Sequence, residues 1–107
     1  MKGALGQLMR QAQQVQENMK RLQDELAQAE VTGEAGAGMV KVTLNGKNEA
    51  RRLEIDPAAF KEGKEFVEDL VTAAINDALQ KVEALTREKM AQATGGLNLS
   101  PGFIPNP

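Results

Sequence analysis

Leu5, Leu8, Ala12, Val15, Met19, Leu22, Leu26 and Ala29 follow one another at alternating steps of three and four. On an α-helix this spacing gathers them into one narrow seam. A seam of that width cannot wrap a globular core; it requires one or two partner helices. A helix of about 25 residues is roughly 38 Å long at about 1.5 Å per residue. A compact 100-residue domain has a radius of gyration of only about 13 Å. The helix must therefore protrude as an arm or be buried by a second subunit. A chain built this way is expected to work through shape and surface.

Composition narrows the chemistry by exclusion. The 107 residues suffice for one domain with a modest core. There is no His, Cys, Trp or Tyr, and Ser100 is the one serine. The usual proton shuttle, thiol nucleophile and soft metal ligands are thus missing. Metal or acid–base chemistry would have to rest on Asp and Glu alone; an enzyme is the least favoured reading, and no cofactor, metal or small-molecule substrate is expected. The formal charge of −2 does not by itself suggest a nucleic-acid binder, so that role needs segregated charge. The N-terminus lacks the apolar run of a signal peptide, and no stretch is long enough to span a membrane. A soluble cytoplasmic protein is expected.

The periodicity changes after Ala29. Val40, Val42 and Leu44 alternate with Lys41 and Thr43, which predicts a half-buried strand over Met39–Leu44. Asn45-Gly46 predicts a two-residue hairpin turn, because both residues tolerate positive φ. Glu49–Ile55 is the expected returning strand, with Leu53 and Ile55 facing the core. Glu30–Glu34 predicts a preceding short strand, joined to Met39 through Gly36-Ala37-Gly38. Asp56-Pro57 marks a helix start, giving one short turn over Ala58–Lys61 that Gly63 breaks.

A second long helix is predicted over about Lys64–Ala93. Phe66, Val67, Leu70, Val71, Ala74, Ile75, Ala78, Leu79 and Val82 form a wide double row in its first half, expected to lie on the sheet. Its second half reads as another arm, ended by Gly95-Gly96. The fold class is α+β: long helix, three-stranded antiparallel meander, short helical turn, long helix. One domain is expected over 1–94, with a flexible Gly- and Pro-containing tail over 95–107. The small sheet can cover only part of either helix, so a homodimer is expected to bury the rest. The residues expected in the core or dimer interface are Val40, Val42, Leu53, Ile55, Phe66, Leu70, Val71, Ala74 and Ile75. Two of the three aromatics, Phe60, Phe66 and Phe103, are expected to be core.

Gly33-x-x-Gly36-x-Gly38 has the wrong spacing for a dinucleotide fingerprint, and no Gly-Lys-Ser/Thr follows it. Gly46-Lys47-Asn48 is no phosphate loop for the same reason. Turns needing positive φ account for these glycines. Glu65, Glu68 and Asp69 lack the further ligands of a hard-cation site and read as a solvated face near a helix N-terminus. The methionines at 9, 19 and 90 read as seam fillers.

Charge placement is more informative than net charge. Residues 1–16 hold Lys2 and Arg10 and no acid, while 81–94 hold Lys81, Arg87 and Lys89 against Glu83 and Glu88. With antiparallel helices these two segments are expected to meet at the arm end, where they carry +3 and leave −5 for the remainder. Arg10 and Arg21 fall outside the seam. The candidate phosphate contacts are Lys2, Arg10, Lys20, Arg21, Lys81, Arg87 and Lys89.

The chain resembles the YbaB/EbfC family of bacterial nucleoid-associated proteins over nearly its whole length. The segments that carry the likeness are Val31-Thr32-Gly33-Glu34-Ala35-Gly36-Ala37-Gly38-Met39-Val40-Lys41-Val42, Arg52-Leu53-Glu54-Ile55-Asp56-Pro57, Glu68-Asp69-Leu70-Val71-Thr72-Ala73-Ala74-Ile75-Asn76-Asp77-Ala78 and Pro101-Gly102-Phe103. The resemblance implies a tweezer-like homodimer whose helical arms grip double-stranded DNA on the nucleoid, with no catalysis and little strict sequence preference. The chain departs from the family at Gln80-Lys81, where a basic pair often stands, and at Ile104, where a basic residue often follows Pro-Gly-Phe. The alternative function is a protein-interaction or holdase-type scaffold. Its clasp would use Leu5 and Leu8 with Leu97, Leu99, Phe103 and Ile104.

Overall fold

A computed structural model describes residues 2–93, apart from the side chain of Lys2; the expected tail, 95–107, lies outside the described residues. Helix α1 (Lys2–Gln28) leads into strands β1 (Glu30–Ala35), β2 (Val40–Asn45) and β3 (Ala50–Ile55). A short 3-10 helix (Pro57–Glu62) then precedes α2 (Lys64–Ala93). The strands form one antiparallel sheet in the order β1-β2-β3. This is the expected α+β order. The radius of gyration is 19.8 Å and the longest dimension 73 Å, well beyond the ~13 Å radius of a compact chain of this size. The seam helix accounts for much of that extension.

The core lies where α2 crosses β1 and β2. Val40, Val42 and Leu44 face Ala74, Ala78 and Val82, and all six are buried. Burying each Val or Leu side chain stabilises the protomer by about 1.5–3 kcal/mol. Val31, Ala35, Ile55, Leu70 and Val71 pack around the margin. The two alanines let the helix come close to the sheet, and Gly33 completes the contact. A Cβ on Gly33 would sit 2.3 Å from the Ala74 carbonyl oxygen and 2.3 Å from the Ala78 nitrogen. Gly33 is therefore a packing glycine inside β1, not the positive-φ turn residue expected from its neighbours. The turn itself uses Gly36, Ala37 and Gly38, all in the left-handed region at φ +63°, +55° and +89°.

The β2–β3 connection corrects a second expectation. Asn45 and Gly46 do not form a two-residue turn, and neither has positive φ; Asn48 takes the left-handed conformation, at φ 64°. The loop is longer because it has another task, which is to close the C-terminal end of α1. The Gly46 N–H donates to the Leu26 carbonyl at 2.7 Å, and Asn45 Nδ2 donates to the Ala27 carbonyl at 3.3 Å. These are carbonyls that a helix end leaves unpaired. A Cβ on Gly46 would stand 2.5 Å from the Leu26 oxygen, so close approach is what requires glycine there. Asn45 is fully buried, and its Oδ1 accepts from the N–H groups of Lys47 and Glu49 at 2.9 Å each. A register shift between Thr43 and Leu44 leaves Arg51 as the extra residue of β3. Its guanidinium also reaches the Ala27 carbonyl, at 3.4 Å.

Asp56 caps the 3-10 helix as expected, its carboxylate accepting from the Ala58 N–H at 2.9 Å. Three apolar side chains are open within the protomer. Phe60 is exposed, because the six-residue 3-10 helix buries Ala59 instead. Leu53 and Ile75 are also exposed within the protomer, at 53% and 39%. Leu53 pairs with Val42 and so lies on the α2 side of the sheet, but α2 packs on β1 and β2 and leaves β3 bare. Phe66 is only half-buried.

Candidate nucleic-acid interface

The seam of α1 is buried only near its C-terminal end, at Leu22 and Leu26, while Leu5, Leu8 and Val15 are exposed. The first half of α1 is thus a free arm. Gln7, Gln11, Gln13, Gln14 and Gln16 line this arm together with Arg10, and no acid precedes Glu17. Arg10 and Arg21 are eleven residues apart, which places them on one face of the helix at a separation of about 16 Å. Arg10, Lys20 and Arg21 are exposed, with no ion pair among the described residues. Lys2 opens α1, but its side chain lies outside the described ones.

The cations of α2 are engaged. Lys81 Nζ donates to the Thr32 carbonyl at 2.8 Å and lies 3.2 Å from the Asp77 carboxylate. The same carboxylate accepts from the Glu34 N–H at 2.9 Å. Asp77 and Lys81 therefore clamp the outer edge of β1 to α2. The Glu34 amide foremost, and then Lys81, hold the Asp77 carboxyl below its ordinary pKa. Arg87 pairs with Glu83 one turn earlier at 2.9 Å, and Lys89 lies 3.5 Å from Glu25 of α1. The Arg87 pair is well exposed and contributes little to stability.

The helices are antiparallel where they meet, but the expected arm-end cluster does not form. Lys89, Gln92 and Ala93 share a groove with Asn18, Arg21, Leu22 and Glu25. Arg10 lies eight residues before Asn18, about 12 Å further along the axis. Lys81, near Thr32, is at the sheet, past the C-terminal end of α1. The two basic segments follow each other along the molecule and do not lie side by side. The reason is length: α2 spends its first half on the sheet, and its last described residue, Ala93, lies beside Asn18, midway along α1. The clamp by Asp77 and the closure by Asn45 were not anticipated from sequence; only the spacing of Asp77 and Lys81 on one helix face hinted at a pair.

No helix among the described residues is long and apolar enough to cross a membrane. The chain is similar in structure to the crystal structure of the uncharacterized protein HP0035 from Helicobacter pylori, with a TM-score of 0.69 and 27% sequence identity. The match covers 85% of this chain and 94% of that one. The family model described as the YbaB/EbfC DNA-binding family matches residues 1–97. With the helix–meander–helix order and the free cationic arm also in place, the chain belongs to the YbaB/EbfC DNA-binding family.

Proposed function

We propose that this protein is a non-catalytic, nucleoid-associated homodimer that binds double-stranded DNA through phosphate contacts from the free face of α1. The observation that carries this is the acid-free first half of α1, with Arg10 unpaired among the described residues and Arg21 following on the same face. Unpaired guanidinium groups can neutralise phosphates without first breaking an ion pair, and the counterions released supply sequence-independent affinity. The glutamines beside them offer neutral donors to phosphate oxygens. Lys20 adds to the α1 set, Arg87 and Lys89 are secondary because each is already paired, and Lys81 serves the sheet edge first.

The second copy docks on β3. That strand has a bare edge above an apolar hollow lined by Val42, Leu44, Leu53, Val71, Ile75 and Leu79. Antiparallel pairing of β3 with its twofold mate is self-complementary, and it removes an edge that would otherwise invite aggregation. Such a dimer presents two arms to one duplex, a geometry suited to altering DNA conformation and, through it, gene expression.

Fluorescence anisotropy with unrelated duplexes tests the DNA contacts. R10A/R21A is expected to weaken binding about equally on every duplex. It should also make the salt dependence shallower, by about 0.9 in slope for each phosphate that is no longer neutralised. K61A/K64A, far from the arm among Glu62, Glu65, Glu68 and Asp69, is expected to be nearly silent. Unchanged affinity and slope in a folded R10A/R21A protein would overturn the assignment.

A further inference from the structure

The seam of α1 is continuous in sequence but covered over only part of its length. Leu22 is 5% exposed, whereas Leu5, Leu8, Met9 and Val15 are 61%, 62%, 59% and 56% exposed, and Ala12 among them is open as well. The cover comes from α2, whose last described residue, Ala93, shares a groove with Asn18 and Leu22. The stretch from Leu5 to Val15 is left bare among the described residues. Its pattern is symmetric. In heptad terms Leu5 and Ala12 are a positions and Leu8 and Val15 are d positions. Reflected about residue 10, Leu5 exchanges with Val15 and Leu8 with Ala12. We propose that this bare stretch is a docking surface for the same stretch of a second copy of the chain, the two arms packing antiparallel with their twofold axis at residue 10.

Register, charge and area all support that occupant. The twofold register stacks Leu5 on Val15 and Leu8 on Ala12, each pair occurring twice, with an a side chain against a d side chain and a larger residue opposite a smaller one. A shift of one heptad in one direction would set Leu5 against Leu22, which α2 already covers. The opposite shift would keep only Leu5 and Leu8 in contact. The flanking positions nearest the axis are Met9 on one side and Gln11 on the other, so neither meets its mate with a charge. Arg10 lies roughly half a turn from both Leu8 and Ala12, so the cations of the two arms face away from the contact. Antiparallel packing also keeps the positive N-terminal ends of the two helix dipoles apart. A bare Leu, Met or Val side chain offers on the order of 100 Å², so Leu5, Leu8, Met9 and Val15 of two arms together bury roughly 800 Å². That is near the lower bound for a specific interface, so the pairing is weak and belongs to concentrations above micromolar.

The absence of native cysteine makes the test direct. Full-length L8C and A12C proteins are mixed in urea, folded together at high concentration and mildly oxidised. Cross-links between an L8C chain and an A12C chain are expected on the order of tenfold above those joining two L8C or two A12C chains, because the register raises the effective concentration of the unlike pair. Like pairs formed as often as unlike ones, the mark of a parallel or unregistered contact, would overturn the proposal. So would cross-linking no better than with Q14C, on another face of the helix, in place of A12C. As a second measurement, sedimentation velocity from micromolar to near-millimolar concentration is expected to show a mass that rises with concentration for the parent and stays flat for L8D, whose carboxylate would enter the seam. The readout is the difference between two proteins, so it holds whether or not β3 pairs. Equal concentration dependence in the two would also overturn the proposal.

Discussion

The two edges of the sheet are treated in opposite ways. Along β1 the outward-facing Thr32 carbonyl and Glu34 N–H are bound by Lys81 and Asp77 of α2, and Gly33 between them lies against the α2 backbone. Along β3 the helix is absent, and Leu53 stands half exposed beside Ile75 and Leu79. One edge is satisfied within the protomer and the other is left unpartnered. Arg51, Arg52 and Glu54 place on this open strand the charges that blunt an edge, while the apolar side chain of Leu53 still gains from a cover. The contrast shows where packing within the protomer ends: α2 is narrow and can guard only one side of a three-stranded sheet.

The largest expected effect lies at the closed edge. G33V should cost at least about 3 kcal/mol, or prevent folding, since its side chain would overlap the α2 backbone and the helix cannot shift without uncovering the core. Urea denaturation followed by circular dichroism measures this; a small change in midpoint would mean that α2 does not sit so close to β1. Next comes the open edge. L53D should leave secondary structure largely intact yet convert a dimer to monomer at micromolar concentration, because a carboxylate replacing an apolar side chain of the hollow would have to be desolvated on association, an ionic cost that the neighbouring Arg51 and Arg52 offset only in part. Sedimentation equilibrium checks it, and a dimer that persists would move the interface away from β3.

The smallest effect probes the clamp. D77N should speed exchange of the Glu34 amide, because a neutral acceptor replaces a charged one. The lowered pKa of Asp77 fixes the sign of the pH dependence. A carboxyl whose folded pKa lies below its unfolded value of about 3.9 stabilises fully above that value. The contribution is lost as pH falls through the lower, folded value. The difference between D77N and the parent should therefore be present at neutral pH and shrink below about pH 4. Thermal melts at several pH values would show it, and a gap that widened in acid would exclude the clamp.

Elements with a strong period were legible in sequence, and elements defined by contact were not. The helices over Lys2–Gln28 and Lys64–Ala93, the alternation in β2 and the Asp56-Pro57 start all rest on local spacing and local capping chemistry. Gly33 and Gly46 read as turn glycines, because glycine serves both positive φ and close approach and the sequence carries no mark between them. Leu53 and Ile75 read as core or dimer interface without distinction, because apolar character says a side chain gains from burial, not that a protomer has surface to cover it. Lys81 read as a free cation because its partners Thr32 and Glu34 (the latter through Asp77) are distant in sequence.

The parts are legible from local sequence: two long helices, a meander between them, a seam too narrow to close on itself, and an acid-free cationic stretch at the start of α1. Those follow from periodicity, capping and composition, which act over a few residues. Packing settles which glycines admit a backbone, which edge of the sheet is closed, and that Ala93 lies beside Asn18 and not beside Arg10. Each depends on how far one element extends over another. That length is set by the packing of Ala74, Ala78 and Val82 on Val40, Val42 and Leu44, a contact between segments 30 to 42 residues apart.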